Sequence, residues 1–338
     1  AGDTLVNIQD LTGSNYDDTF VASAAANNFE GGAGTNTVSY ARANDGVGVT
    51  VDLFQRAGSN GFAAGDTYSN IQNVIGSSYA DLFIADNNVN SFTGGGGSDT
   101  VSYVNSTAAV TVDLAGGTGT GGFAQGDSYS GIPNVIGSSF NDTILASSVA
   151  NVIDGSGGTH NRVSYASSNA AVTVDLNFTD GTGTSGGYAA GDTLVNIQDL
   201  TGSNFDDTFI ASAAGNALEG GLGSNTVSYA RSTSSNTTGV TVDLSAGTGS
   251  GNFAQNDTYS NIQNVIGSDF ADTLTGFATP GVSSVLTGGK GADSITAVIT
   301  GSWRRSRSNS GPPRTSAPVI AGTVPSQNAP ITAAPPPS

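Results

Sequence analysis

The sequence predicts an all-β chain: a right-handed parallel β-solenoid built from repeats of about 63 residues, ending in a disordered C-terminal tail. Three observations predict it. Landmark residues recur at long, nearly constant spacing. A nine-residue period runs inside each long repeat. The composition, with 49 Gly and almost no Glu, suits many tight turns and few or no helices.

The long repeat is read first, because an array of units that touch only their neighbours escapes the usual count of domains. The Asp of G-D-T or its variants falls at Asp3, Asp66, Asp127, Asp192 and Asp257. The last Asp of G-S-x-x-x-D falls at Asp18, Asp81, Asp142, Asp207 and Asp272, with the same spacings of 63, 61, 65 and 65. An S-Y pair ends at Tyr40, Tyr103, Tyr165 and Tyr229, and a V-D-L run holds Asp52, Asp113, Asp175 and Asp243. The array spans residues 1–300, in units of about 1–63, 64–124, 125–189 and 190–254 and a partial unit 255–300. Residues 1–15 recur unchanged at 190–204, so three units were copied together, and the parent protein is expected to be longer.

The short period gives the elements. Asp18, Asn27 and Asn36 are nine apart, as are Asp81, Asn90 and Asp99, and Asp207, Asn216 and Asn225. The third unit slips by one, to Asp142, Asn151 and Asn161, and the fifth carries an insertion between Asp272 and Asp293. Two residues after each rung stands an apolar side chain, as at Phe20, Phe29 and Val38. Nine residues make a turn and a short strand, and two nonamers make one winding, with the rung in the turn and the apolar residue facing inward. The alternating run Val49–Leu53 and the segment Thr67–Ile71, on either side of a Gly-rich loop, read as further, looser windings.

The tail departs from this pattern. Residues 301–338 hold eight of the ten Pro, the one Trp (Trp303) and four Arg, a composition expected to stay disordered or to serve as a linker. The cluster from Trp303 to Arg307 could alternatively meet an acidic surface, such as another copy of the array.

Charge excludes some partners. With 27 acidic and 9 basic residues the formal charge is −18, which repels nucleic acid and anionic membranes. No run of about 18 apolar residues exists, so no membrane insertion is expected. There is no Cys, hence no thiol nucleophile, and His160 is the one His, in an irregular nonamer. Carboxylate pairs are abundant, but they repeat with the chain, whereas a catalytic pair would break the repeat. The sequence therefore predicts no enzyme.

At the nonamers the sequence resembles the RTX, or haemolysin-type, calcium-binding repeats, whose pattern is G-G-x-G-x-D-x-U-x with U large and apolar. Residues 94–102 (GGGGSDTVS) and 288–296 (GGKGADSIT) match fully. Residues 31–39 and 220–228 match with Asn36 and Asn225 in place of Asp, and 156–164 are degenerate. The V-T-V-D-L and G-D-T blocks look like spacers of large bacterial adhesins and surface proteins.

The resemblance implies Ca2+, which takes six to eight oxygens, with Gly letting turn carbonyls face the ion. It implies that Asp81 and Asp99, with Gly94, Gly95 and Gly97, form the best site, followed by Asp272 with Gly288, Gly289, Gly291 and Asp293. Weaker sites are implied at Asp18/Asn36 and Asp207/Asn225, where an amide ladder without metal is the alternative. The five G-D-T Asp are expected to cap their own turns, the V-D-L Asp to face solvent, and the S-Y tyrosines to pack rather than to form a carbohydrate platform.

The function implied is a secreted, extracellular or cell-surface, calcium-stabilised rod with a structural or adhesive role: a surface layer, filament or adhesin segment. The alternatives are the repeat module of a secreted polysaccharide-acting enzyme, and a carbohydrate- or ice-binding face. Thr37, Thr100 and Thr226 recur too sparsely for an ice template. Expected partners are calcium, a surface glycan, and further copies stacked end to end through unpaired strand edges.

Overall fold

The computed structural model describes residues 8–178, 182–231, 238–277, 283–296 and 331–332. The chain divides into two compact units, one of residues 1–169 with 178–199 and the other of 170–177 with 200–338. Both are all-β, built from strands of three residues or fewer, joined mostly in parallel.

In the first unit the repeat opens with β1 (Asp10–Thr12), β2 (Thr19–Val21), β3 (Asn28–Glu30) and β4 (Thr37–Ser39). Each strand turns its middle residue inward and its flanking residues mostly outward, because alternate side chains point to opposite faces. Strands nine residues apart fall on opposite sheets, and strands eighteen apart lie side by side. Leu11 of β1 thus pairs with Phe29 of β3, and Phe20 of β2 with Val38 of β4. One winding is two nonamers, as the spacing predicts.

The linking segment overturns the expected further windings. It contains β5 (Thr50–Asp52), β6 (Ala57–Ser59), β7 (Thr67–Ser69) and β8 (Asn73–Ile75). β5 and β6 run antiparallel, as do β6 and β7, and a 3-10 turn at Gly61–Ala63 joins the last two. β7 then returns to lie parallel to β3, while β8 lies parallel to β4 on the other sheet. Next come β9 (Leu82–Ile84), β10 (Ser91–Thr93) and β11 (Thr100–Ser102), and the first sheet runs β1-β3-β7-β6-β5-β9-β11.

The spacer is therefore a three-strand meander wedged between two stretches of parallel winding. Left-handed backbone at Arg56, Asn60, Gly61 and Gly65 supplies the reversals. The middle strand needs a glycine for a second reason. A Cβ on Gly58 would lie 2.3 Å from the Tyr68 hydroxyl and 2.4 Å from the Ala63 carbonyl oxygen.

The same meander recurs at Thr111–Asp113, Thr118–Thr120 and Ser128–Ser130, this time on the sheet of β2, β4, β8 and β10. In the second unit it recurs at Thr241–Asp243, Thr248–Ser250 and Thr258–Ser260, flanked by the parallel strands Ala217–Glu219 and Thr273–Thr275.

All fifteen apolar residues placed two beyond a rung are buried, from Phe20 to Ile295. Phe20 and Phe29 approach at 5.5 Å between ring centres, as do Phe83 and Phe92, the latter stacked. The predicted disordered tail lies outside the described residues except for Ile331–Thr332, a short strand antiparallel to Val285–Thr287.

Candidate metal centre

Each G-S-x-x-x-D turn is closed by its own residues. Asp81 accepts the Ser77 backbone N–H at 2.6 Å on Oδ2, and the Ser77 hydroxyl at 2.8 Å and the Val49 N–H at 2.7 Å on Oδ1. Asp142, Asp207 and Asp272 do the same with Ser138 and Val110, Ser203 and Val172, and Ser268 and Val240. Asp18 is held by Ser14. These carboxylates are committed to hydrogen bonds. Burial pushes the Asp81, Asp142 and Asp272 carboxyls above the usual range, and the N–H and O–H donors pull the other way.

The next rung on the same side stacks against them. The backbone N–H of Asp81 donates to Asp99 Oδ1 at 2.8 Å, and that of Asp272 to Asp293 Oδ1 at 3.0 Å. Asp18, Asp142 and Asp207 donate likewise to Oδ1 of Asn36, Asn161 and Asn225, at 3.0, 2.9 and 2.9 Å. The structure thus brings together each pair the sequence places eighteen, nineteen or twenty-one residues apart.

The second oxygen of the Asp rungs is the unusual atom. Asp99 Oδ2 and Asp293 Oδ2 are buried and have no hydrogen-bond partner. A buried unpartnered carboxylate oxygen is costly and calls for a cation or a proton. Burial pushes the Asp99 carboxyl up to about 6, opposed by the Asp81 N–H and reinforced by the Asp81 charge.

The glycines around Asp99 leave no space for a side chain. A Cβ on Gly94 would lie 2.1 Å from Asp99 Oδ2 and 2.4 Å from the Gly131 carbonyl oxygen, so both oxygens lie close against the Gly94 backbone. Gly95 and Gly97 have left-handed backbone and pass against the Ser77 and Tyr79 carbonyls of the neighbouring winding. Around Asp293, a Cβ on Gly288 would lie 2.2 Å from Asp293 Oδ2, and left-handed Gly289 and Gly291 abut the Ser268 and Phe270 carbonyls.

The donors are hard oxygens, suited to calcium rather than to a softer metal. Among the described residues no three His, Cys, Asp or Glu cluster. Asp99 and Asp293 would therefore hold an ion with one free carboxylate oxygen each, helped by backbone carbonyls. Asn36 and Asn225 fit poorly, because their amide nitrogens already donate to carbonyl oxygens.

The G-D-T aspartates do not cap their own turns. Asp66, Asp127, Asp192 and Asp257 are buried and reach across the fold, accepting the N–H of Asn27, Asn90, Asn151 and Asn216 on Oδ1, at 2.6 to 2.8 Å. On Oδ2 they accept the hydroxyls of Tyr40, Tyr103, Tyr165 and Tyr229, at 2.5 to 2.9 Å. A second hydroxyl joins three of these clamps, from Tyr68, Tyr129 and Tyr259. The tyrosines pack inside, as expected, and also bind. Sequence reasoning missed the clamp, although its signal was present: each S-Y tyrosine is followed, 24 to 28 residues on, by the G-D-T aspartate that opens the next unit. Asp3 lies outside the described residues.

Among the V-D-L aspartates, Asp52, Asp113 and Asp243 accept backbone N–H groups of the following turn. Asp175 departs from the expected solvated face: it is buried, with Arg231 Nε 2.7 Å away. His160 Nδ1 lies 3.3 Å from Asp199 Oδ1, and Arg162 is 3.7 Å from the other oxygen.

Stacked parallel windings with glycine turns and buried Asp rungs define a solenoid-like repeat architecture. Four segments, residues 12–47, 69–102, 136–159 and 199–229, match the model of the RTX calcium-binding nonapeptide repeat. The chain thus carries four copies of a repeat that binds Ca2+. No curated protein matches the chain. Among the described residues no helix is long and apolar enough to cross a membrane.

Proposed function

We propose that this chain is a calcium-stabilised structural or adhesive segment of a secreted protein, acting at the cell surface or beyond it and without a catalytic centre of its own. The observation that carries the reading is the unpartnered, buried Oδ2 of Asp99, close to the Gly131 carbonyl, where the nonapeptide motif is complete. Calcium bound there would neutralise the carboxylate and tie adjacent windings together. Secretion fits, because RTX repeats are typical of secreted bacterial proteins.

A structural role is supported by where the ionisable groups lie. The buried aspartates recur with the winding, and they accept backbone N–H groups from neighbouring windings and turns. Stacking of further copies against exposed parallel strand edges, and attachment to a surface glycan, belong to the same proposal.

Circular dichroism of the chain in chelator, followed by calcium, tests it. The expected result is weak strand signal or a low melting temperature in chelator, restored by calcium at ordinary ionic strength. The same spectrum and melting temperature in both conditions would overturn the calcium reading.

A further inference from the structure

We infer that the rungs are of two kinds: calcium is confined to the second and fifth, at Asp99 and Asp293, while the first, third and fourth are locked without metal. This rests on the calcium reading above and concerns which turns use it.

The switch is one atom. In the metal-free rungs the side chain is Asn, and both of its ends are committed. Asn36 Oδ1 accepts the Asp18 N–H, and Asn36 Nδ2 donates to the carbonyls of Asn70 at 2.9 Å and Ala33 at 3.2 Å. Asn161 Nδ2 donates to Gly157 at 2.6 Å and Asn196 at 3.0 Å, and Asn225 Nδ2 to Asn261 at 2.9 Å and Leu222 at 3.0 Å. The amide cannot flip, because its nitrogen would then face the donating N–H of Asp18, Asp142 or Asp207. The carbonyls that a cation would need are already bonded to nitrogen. With Asp in that place the same atom is an oxygen, buried and without a partner at both Asp99 and Asp293, and at Asp99 it lies close to the Gly131 carbonyl oxygen; a cation or a proton relieves it.

Two further positions change together with this one. In the metal-free rungs the residue before the lower Asp is Asp17, Asn141 or Asp206, and its Oδ1 accepts the turn N–H of Thr35, Thr159 or Ser224, at 2.7, 2.9 and 2.7 Å. In the Asp rungs that residue is Ala80 or Ala271, which has no acceptor to offer. Likewise the backbone N–H of Asn36, Asn161 and Asn225 is taken by Oε1 of Gln72, Gln198 and Gln263, at 2.8, 2.9 and 2.7 Å. Against Asp99 the corresponding residue is Pro133.

The Asn turns are therefore held by three side-chain clamps, and the Asp99 turn has lost all three. A turn stripped of its clamps and given a free carboxylate is a turn built for an ion. The repeat match does not draw this distinction: it spans Asn36 and Asn225 as well as Asp99, and it stops short of Asp293.

Native mass spectrometry of the whole chain, titrated with calcium in excess magnesium, counts the ions. The expected plateau is two, falling to one in Asp99→Asn and rising to three in Asp206→Ala/Asn225→Asp. Circular dichroism of each variant in calcium checks that it is folded. A wild-type plateau of one, or of more than two, overturns the partition alone. A plateau of zero overturns the calcium reading beneath it.

Discussion

Replacing Tyr165 by Phe removes one oxygen from the third clamp and leaves the ring in place. Its hydroxyl donates to Asp192 Oδ2 at 2.9 Å, and the Asn151 N–H donates to Oδ1 at 2.8 Å. Both residues are fully buried. A hydrogen bond to a charged group contributes about 1.5–3 kcal/mol, so local opening at Asn151 should become roughly 10- to 100-fold easier.

The loss should depend on pH in a definite direction. Burial pushes the Asp192 carboxyl up to about 6, against the pull of the Asn151 and Tyr165 bonds. Its folded value lies above the unfolded 3.8. Protonation of this group therefore favours the folded chain below pH 3.8, and that contribution is lost as the pH rises through about 6. At pH 7.5 Asp192 is charged and needs the hydroxyl; at pH 5 it carries a proton and needs it less.

Amide hydrogen exchange of Asn151, in Tyr165→Phe and wild type at pH 7.5 and pH 5, measures this after correction for intrinsic rates. The expected result is a large loss of protection at pH 7.5 that shrinks at pH 5. Equal protection in the two proteins, or a larger loss at pH 5, would refute the clamp as a hydrogen-bonded ionic unit.

Other outcomes follow from the same geometry. Gly97→Ala should lower the melting temperature in calcium, since left-handed backbone and a Cβ 2.5 Å from the Tyr79 carbonyl carbon together cost about 1–3 kcal/mol or more. Phe83→Ala should destabilise its winding by about 3–5 kcal/mol in urea titrations, because the ring is fully buried and stacked on Phe92. Ser77→Ala, which deletes the hydroxyl bonded to Asp81 and to the Tyr79 N–H, should cost about 1–2 kcal/mol in the same titration. In chelator, the whole chain should melt higher at pH 5 than at pH 7.5. Asp127 and Asp192 are both pushed up to about 6, and keeping each charged above that pH costs on the order of 3 kcal/mol.

The winding was legible in the sequence because its period is local. Nine residues fix one strand and one turn, so Phe20, Phe29 and Val38 could be placed inside, and Asp81 beside Asp99, from spacing alone. The meander was legible only in part. Its outer strands fall in the alternating run Val49–Leu53 and in Thr67–Ile71, but the middle one reads Ala-Gly-Ser, which shows no alternation, so the fold-back was missed. The reversals come from left-handed residues such as Arg56 and Asn60, which composition does not mark as turns.

Missing the meander hid the Tyr–Asp clamps as well. Tyr40 meets Asp66 only because β7 folds back beside β3. The difference between Asn36 and Asp99 was visible as a letter. That the Asn nitrogen already satisfies the carbonyls could be seen only with the neighbouring winding in place.

The central claim is that Asp99 Oδ2 is a calcium ligand. A crystal structure of the chain grown in calcium tests it most directly. The account predicts an ion about 2.3–2.6 Å from Asp99 Oδ2, with the Gly131 carbonyl on the same centre and no ion at Asn36. Asp99 Oδ2 bonded to water or to a protein donor, with no ion beside it, would contradict it.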